Sequence, residues 1–264
     1  SVAAPARPSR ARGAGHMTTL LAAGLAIAVT YFAVTWAISV RIRNYGLLDV
    51  AFSYGVAILA PMYAWYAPGD ALRKWSLAAV GVAWSVRLGT SILPRAVRHH
   101  PAEDVRYQTR RARWPGPLQF LGFFQVQAVL VVLFSLPFLF AAFNPAPDLA
   151  ALEAGGMALA IVALLGETLA DLQMQAFKRD PANRGKVCQV GLWRYSRHPN
   201  YFFESLVWWG FFLVALGSPW GWITIACPLL MLYFLFKVTG IPLTEEYAVK
   251  SKGDLYREYQ RTTS

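Results

Sequence analysis

Seven apolar runs separated by polar or basic loops dominate the chain: Thr18–Val40, Val50–Ala67, Trp75–Leu93, Leu118–Phe143, Leu149–Phe177, Tyr201–Leu216 and Trp220–Val238. About 20 apolar residues cross a bilayer as a helix, and the runs meet or approach that length. They predict an all-α, multi-pass transmembrane bundle of about seven spans. The sixth run is short, and Gly217-Ser-Pro-Trp220 predicts a tight turn that joins it to the seventh as a helical hairpin.

The polar segments alternate in charge. Arg41 and Arg43 follow the first run, and Arg95, Arg98, Arg106, Arg110, Arg111 and Arg113 follow the third. Lys178, Arg179, Arg184, Lys186, Arg194 and Arg197 follow the fifth, and Lys250, Lys252, Arg257 and Arg261 lie in the tail. The alternate loops hold Asp70, Asp148 and Glu153, with Arg73 and Lys74 as their basic residues. The excess of Lys and Arg in short cytoplasmic loops then predicts an outside amino end and a cytoplasmic carboxyl end. Arg7, Arg10 and Arg12 dissent from this assignment if they belong to the native chain.

The composition, 56% hydrophobic and 15% charged, fits a membrane protein rather than a soluble domain. The net charge of +11 lies in loops beside apolar runs, and most Trp and Phe residues lie in the runs or at their ends, so nucleic acid is not an expected partner. Cys188 and Cys227 have neither metal nor redox spacing. Residues 1–16 are rich in Ala, Pro, Arg and Ser; they read as a disordered extension, a mis-set start before Met17 or an expression scar. Residues 17–264 read as a single membrane domain.

The densest candidate chemistry is Gly191-Leu-Trp-Arg-Tyr-Ser-Arg-His-Pro-Asn-Tyr-Phe-Phe-Glu204. Pro199 suits the first turn of a helix. Asn200 and Glu204 then lie one turn apart on one face. A basic juxtamembrane anchor would account for Arg194 and Arg197, but not for Asn200 and Glu204. In the fifth run, Glu167, Asp171, Gln175 and Lys178 follow spacings of four, four and three, which predicts one stripe from membrane depth to the edge. Intramembrane carboxylates mark sites or pathways; a structural pairing with Arg87 is the competing reading. Asn44 and Asp49 are weaker candidates that would also serve as helix caps.

Glu103, Asp104, Arg106 and Tyr107 are grouped in one loop. There Tyr107 is expected to be a proton donor, its pKa lowered by neighbouring cations. His99 and His100 lack a third ligand at metal spacing, so no metal is expected. No glycine-rich nucleotide loop is present, so a nucleotide would be held by side chains at the membrane edge.

Taken in order, Glu103-Asp-x-Arg-Tyr107, Asp171-x-x-x-Gln175-x-Phe177, the Gly191–Tyr201 segment with Glu204, Trp208 and Trp209, Pro242-Leu-x-Glu-Glu246 and Tyr256-x-x-Tyr259 resemble the bacterial, domain-of-unknown-function branch of the steroid 5-alpha-reductase-like membrane proteins. The resemblance runs from about Asn44 to Ser264. It implies a superfamily of NADPH-dependent reductases of steroid and sterol double bonds, related to methyltransferases of isoprenylcysteine and phospholipid amines. It implies a cofactor-binding half of about 149–264, with Asp171, Lys178, Arg184, Arg197, Asn200, Tyr201 and Glu204 holding NADPH and His198, Glu246, Tyr256 and Tyr259 beside it. Phe203 stands where the family commonly has glycine, a departure expected to narrow the approach to the cofactor. The Gln-Glu-Leu-Pro motif that helps set the steroid pocket in eukaryotic relatives is absent.

The expected activity is therefore NADPH-dependent reduction of a carbon–carbon double bond in an apolar, steroid- or isoprenoid-like substrate, similar to 3-oxo-5-alpha-steroid 4-dehydrogenase, within lipid metabolism and a bacterial inner membrane. Tyr107 and Glu204 are the expected catalytic residues. The alternative is an S-adenosylmethionine-dependent methyltransferase of a lipid or isoprenylcysteine. About four phosphate charges on NADPH favour an arginine-rich site, whereas the sulfonium cofactor is itself cationic. A non-catalytic lipid-binding scaffold would share the topology but would not need the Asn200–Glu204 or Asp171–Gln175 pairings.

Overall fold

The computed structural model describes residues 10–98, 105–114 and 116–264, and among these every regular element is helical. Ten α-helices follow in order: α1 Arg10–Ile42, α2 Leu47–Tyr66, α3 Ala71–Arg98, α4 Val105–Arg113, α5 Pro117–Ala142, α6 Ala151–Arg179, α7 Pro199–Leu216, α8 Ala226–Tyr233, α9 Ile241–Lys252 and α10 Asp254–Thr262. Two compact units divide them at Leu149 and Ala150.

Among the described residues, six stretches are long and apolar enough to cross a membrane: Gly13–Ile42, Leu47–Tyr66, Ala71–Pro94, Pro117–Ala142, Ala151–Arg179 and Gly221–Lys252. The predicted sixth run is helical as α7 but falls outside this set. Pro199, Asn200, Tyr201 and Glu204 in its first two turns lower the mean apolarity of an 18-residue helix. At the other end, helix α1 begins at Arg10, so residues 10–16 are helical and continuous with the first span; residues 1–9 of the expected extension lie outside the described residues.

In the first unit, α2 packs on α1, α3 and α5. The hydroxyl of Ser85 on α3 enters the α2 backbone, donating to Ser53 O and accepting from Ala57 N at 3.0 Å. That is an i, i+4 pair of α2, and Pro61 four residues on has no N–H to continue the ladder. In the first turn of α3, the buried Arg73 side chain donates to the carbonyls of Asn144 (3.2 Å), Ala146 (2.8 Å) and Asp148 in the segment after α5. Arg73, read from the sequence as a loop charge, is therefore a buried structural residue of α3.

In the second unit, α6 and α7 are antiparallel and in close contact. A Cβ on Gly210 would lie 2.7 Å from both Ala160 N and Gly156 O, so only glycine allows the two backbones this near. The expected hairpin is present. Gly221 N donates to Ser218 O at 2.9 Å, and a Cβ on Gly221 would lie 1.7 Å from Ala215 O. Beyond α8 the chain passes through a π-helical turn, Phe234–Val238, then bends into α9.

Candidate functional site

Most of the expected site residues lie in the second unit, where the Gly191–Glu204 segment is fixed from two sides. Against α6, the Gln173 side chain accepts from Leu192 N at 2.8 Å, and the Trp193 indole donates to Ala170 O at 2.8 Å. Gly191 has φ +55°, and a Cβ there would strike the Gln173 amide at 2.4 Å. From the tail, the buried Tyr259 hydroxyl is placed against Trp193 O and, at 3.2 Å, Ser196 O. Arg197 N donates to Ser264 O at 2.8 Å.

Glu245 is the hub of this arrangement. Its Oε1 lies 3.1 Å from Arg197 Nε and 3.0 Å from His198 Nε2, and its Oε2 accepts from Gln260 Nε2 at 2.9 Å. A carboxylate only accepts, so Nε2 of His198 carries the proton. His198 stacks on Tyr201, with centroids 5.4 Å apart and an interplanar angle of 4°. Burial lowers the His198 pKa and Arg197 adds to this, against the opposing pull of Glu245. The Thr244 hydroxyl spends its proton on Gly240 O (2.9 Å), so the Tyr201 hydroxyl donates to it at 3.1 Å.

Further in along α7, Asn200 Nδ2 reaches Asp171 Oδ1 on α6 at 3.5 Å, the outer limit of a hydrogen bond. Glu204 is buried at 6% exposure and accepts from the Trp208 indole at 3.0 Å. Glu167, buried at 4%, lies on the α6 face that also carries Ala160, Ala163 and Ala170. At the same level the Phe203 ring rests on Gly166, where a Cβ would come within 2.4 Å of it. Phe203 thus fills a notch in α6.

Lys178, Arg179, Arg184, Lys186 and Arg194 form the exposed cationic side of this segment. Lys252 donates to Lys186 O at 2.6 Å. The Cys188 thiol beneath has its pKa raised by burial, against the opposing charges of Lys252 and Lys178.

Several expected roles change on this geometry. Glu246 is exposed and pairs with Lys250 at 2.5 Å one helical turn on; its neighbour Glu245 faces His198 and Arg197. Arg197 is engaged by Glu245 and by Gln260 O (3.1 Å). Tyr256 and Tyr259 are buried; burial first, then Glu245 for Tyr256 and Tyr256 for Tyr259, raises both hydroxyl pKa values, that of Tyr256 to about 12.

Tyr107 lies in the first unit on α4. Its hydroxyl donates to Asp49 Oδ1 at 2.7 Å, while Arg106 donates to Asp49 Oδ2 at 2.7 Å. The expected acidification of Tyr107 is reversed. Burial and then the Asp49 carboxylate raise its pKa well above the usual phenol value, outweighing Arg106 and Arg110. Asn44 donates to Ala96 O at 2.9 Å and accepts from Gly46 N at 2.9 Å, as a turn residue does. Glu103, Asp104, His99 and His100 lie outside the described residues. Among the described residues, no group of three His, Cys, Asp or Glu side chains is placed to hold a metal ion.

The residues missed in the sequence are Glu245, Gln260 and Gln173; Asp49, a weaker candidate there, proves to be the partner of Tyr107 and Arg106. Period offered a signal for Glu245 alone: in a helix from Ile241, Glu245 and Glu246 point 100° apart, so one of them must face away.

Apolar spans joined by short loops, with a polar cluster at the entry to α7, define the class as a multi-pass helical membrane protein. Over residues 35–263 the chain matches the family described as "Protein of unknown function (DUF1295)", and it belongs to that family. Neither a curated protein nor a solved structure matches it.

Proposed function

We propose that this chain is a membrane-embedded, NADPH-dependent reductase of a carbon–carbon double bond in an apolar steroid- or isoprenoid-like substrate, of the steroid 5-alpha-reductase-like kind. The observation that carries this reading is the order of charge along the second unit. Exposed Lys178, Arg184 and Arg194 form a cationic rim, and Asp171, Asn200 and the buried Glu204 follow further inward. Phosphates fit the rim by charge. Ribose hydroxyls and a carboxamide fit the interior, where carboxylates accept and Asn200 both donates and accepts.

In this reading Lys178, Arg184 and Arg194 hold phosphate, and Asp171, Asn200, Tyr201 and Glu204 hold the uncharged part of the cofactor. Arg197 and His198, with Tyr256 and Tyr259, set the position of the loop through Glu245 and the tail. NADPH supplies the hydride when bound. Tyr107 keeps its proton through the neutral range and shares it with Asp49, so that pair is the proton-holding group of the first unit. The carboxyl end faces the cytoplasm of a bacterial inner membrane, on the alternation of basic and non-basic loops.

The test is transfer of label. Protein purified in detergent is incubated with NADPH carrying deuterium on its transferable carbon and a panel of apolar enones and isoprenoids. The expected product is saturated and carries one deuterium per molecule reduced. Methyl transfer from S-adenosylmethionine to a lipid, with no NADPH consumed, would contradict the proposal.

A further inference from the structure

We propose that α4 and the aromatic shelf beneath it form a binding site for the phosphodiester headgroup of an anionic membrane lipid. The site lies within the first unit and is independent of the reductase reading.

Helix α4 follows the candidate span Ala71–Pro94 and precedes Pro117–Ala142, so it lies at a span edge and not within one. It carries Arg106, Arg110, Arg111 and Arg113. Arg106 pairs with the Asp49 carboxylate at 2.7 Å. Exposed Arg41, in the last turn of α1, and Arg43, on the turn that follows, add charge just ahead of Tyr45. Helices α2 and α5 both begin at this edge, at Leu47 and Pro117, and their amino-terminal dipoles add to the positive potential.

The shelf orders these charges. The Arg110 guanidinium lies 4.6 Å from the centroid of Phe123, and that of Arg111 lies 4.6 Å from Tyr45. Tyr45 is stacked on Phe120 with centroids 3.8 Å apart and an interplanar angle of 9°. Trp114 meets Phe120 and Phe123 edge-on at 5.8 and 6.0 Å. A guanidinium held at a ring in this way is attracted to the ring and loses part of its side-chain freedom before any ligand arrives. Arg110 and Arg111 are consecutive on α4 and each is held at a ring, which reduces the ordering cost of gripping a phosphate with charge-assisted bonds.

The apolar shelf selects the source of that phosphate. Trp and Tyr settle at headgroup depth, and the start of α5 continues from the shelf into an apolar span. A lipid presents its phosphate with acyl chains attached at that depth. A free anion would gain from the arginines alone.

The test uses the full chain in detergent, with phosphatidylglycerol, phosphatidylcholine or inorganic phosphate added at equal concentration. Native mass spectrometry reads retained lipid, and thermal melting reads stabilisation. Phosphatidylglycerol is expected to be retained and to raise the melting temperature, with an effect that weakens as salt rises; phosphatidylcholine and phosphate are expected to do neither. The double variant Arg110→Gln with Arg111→Gln should retain phosphatidylglycerol at least tenfold less, on the scale of one lost charge-assisted contact. Arg110→Lys with Arg111→Lys keeps the charge but loses the fork, and should fall between the two while melting near wild type without lipid. Arg257→Gln on α10 should match wild type. Equal retention of both lipids, equal stabilisation by phosphate, or full phosphatidylglycerol retention in the double Lys variant would overturn the proposal.

Discussion

At the scale of single residues, Glu245 governs the loop that opens α7. One carboxylate accepts from His198 and Gln260 and pairs by charge with Arg197, so its removal leaves two donors without their acceptor and one guanidinium without this counter-charge. Glu245→Gln should lower the unfolding free energy by about 1–2 kcal/mol, a range discounted because Glu245 and Arg197 are partly exposed. Glu246→Gln should change it by less than about 0.5 kcal/mol, since that acid is exposed. Equal effects in a denaturation series would remove Glu245 from its central role. His198 provides a pH-dependent test. Its native pKa is lowered from 6.5, so the unfolded chain binds more protons below that pH. Stability contributed by neutral His198 is present above pH 6.5 and falls as the pH drops below it. His198→Gln should therefore reduce the loss of melting temperature between pH 7.5 and 5.5. Motif and charge in the sequence pointed to this loop, but they could not show which acid of the Glu245–Glu246 pair faces it, or that Tyr107 would meet Asp49. Those facts depend on helix phase and on contacts 58 residues apart.

Among elements, the pairing of α6 with α7 depends on glycine. Gly210→Val would drive a side chain into Ala160 N and Gly156 O, and overpacking of this kind costs about 1–3 kcal/mol. A lower melting temperature and looser protease resistance confined to residues 150–264 would show it; an unchanged melting temperature would mean that the helices separate without cost. In the first unit, Arg73→Met keeps apolar bulk but leaves the Asn144, Ala146 and Asp148 carbonyls without their donor, at about 1.5–3 kcal/mol per charge-assisted bond before relaxation. The helices themselves were legible because apolar runs of span length have few alternatives. Two boundaries were not. Helix α1 runs back to Arg10 although Gly13 and Gly15 disfavour helix, because adding residues to an already formed span avoids the cost of nucleation. Helix α7 falls short of a span by composition because its first turns carry the polar site.

For the whole molecule, the basic loops predict that the two ends of α5 face opposite sides of the membrane. Cysteines placed at Thr109 and Pro145, in a chain with Cys188 and Cys227 replaced, should label from opposite sides with an impermeant reagent. Labelling of both from one side would reverse the topology. The proposed activity rests on what the second unit binds. The direct measurement is the melting temperature of the purified chain titrated with NADPH, NADH and S-adenosylmethionine. A ligand at a hundred times its dissociation constant stabilises by about 2.7 kcal/mol. The account predicts that NADPH stabilises most, that NADH stabilises less for want of one phosphate, and that Lys178→Gln with Arg184→Gln removes most of the difference between them while leaving the ligand-free melting temperature near wild type. Stabilisation by S-adenosylmethionine with none by NADPH would contradict it.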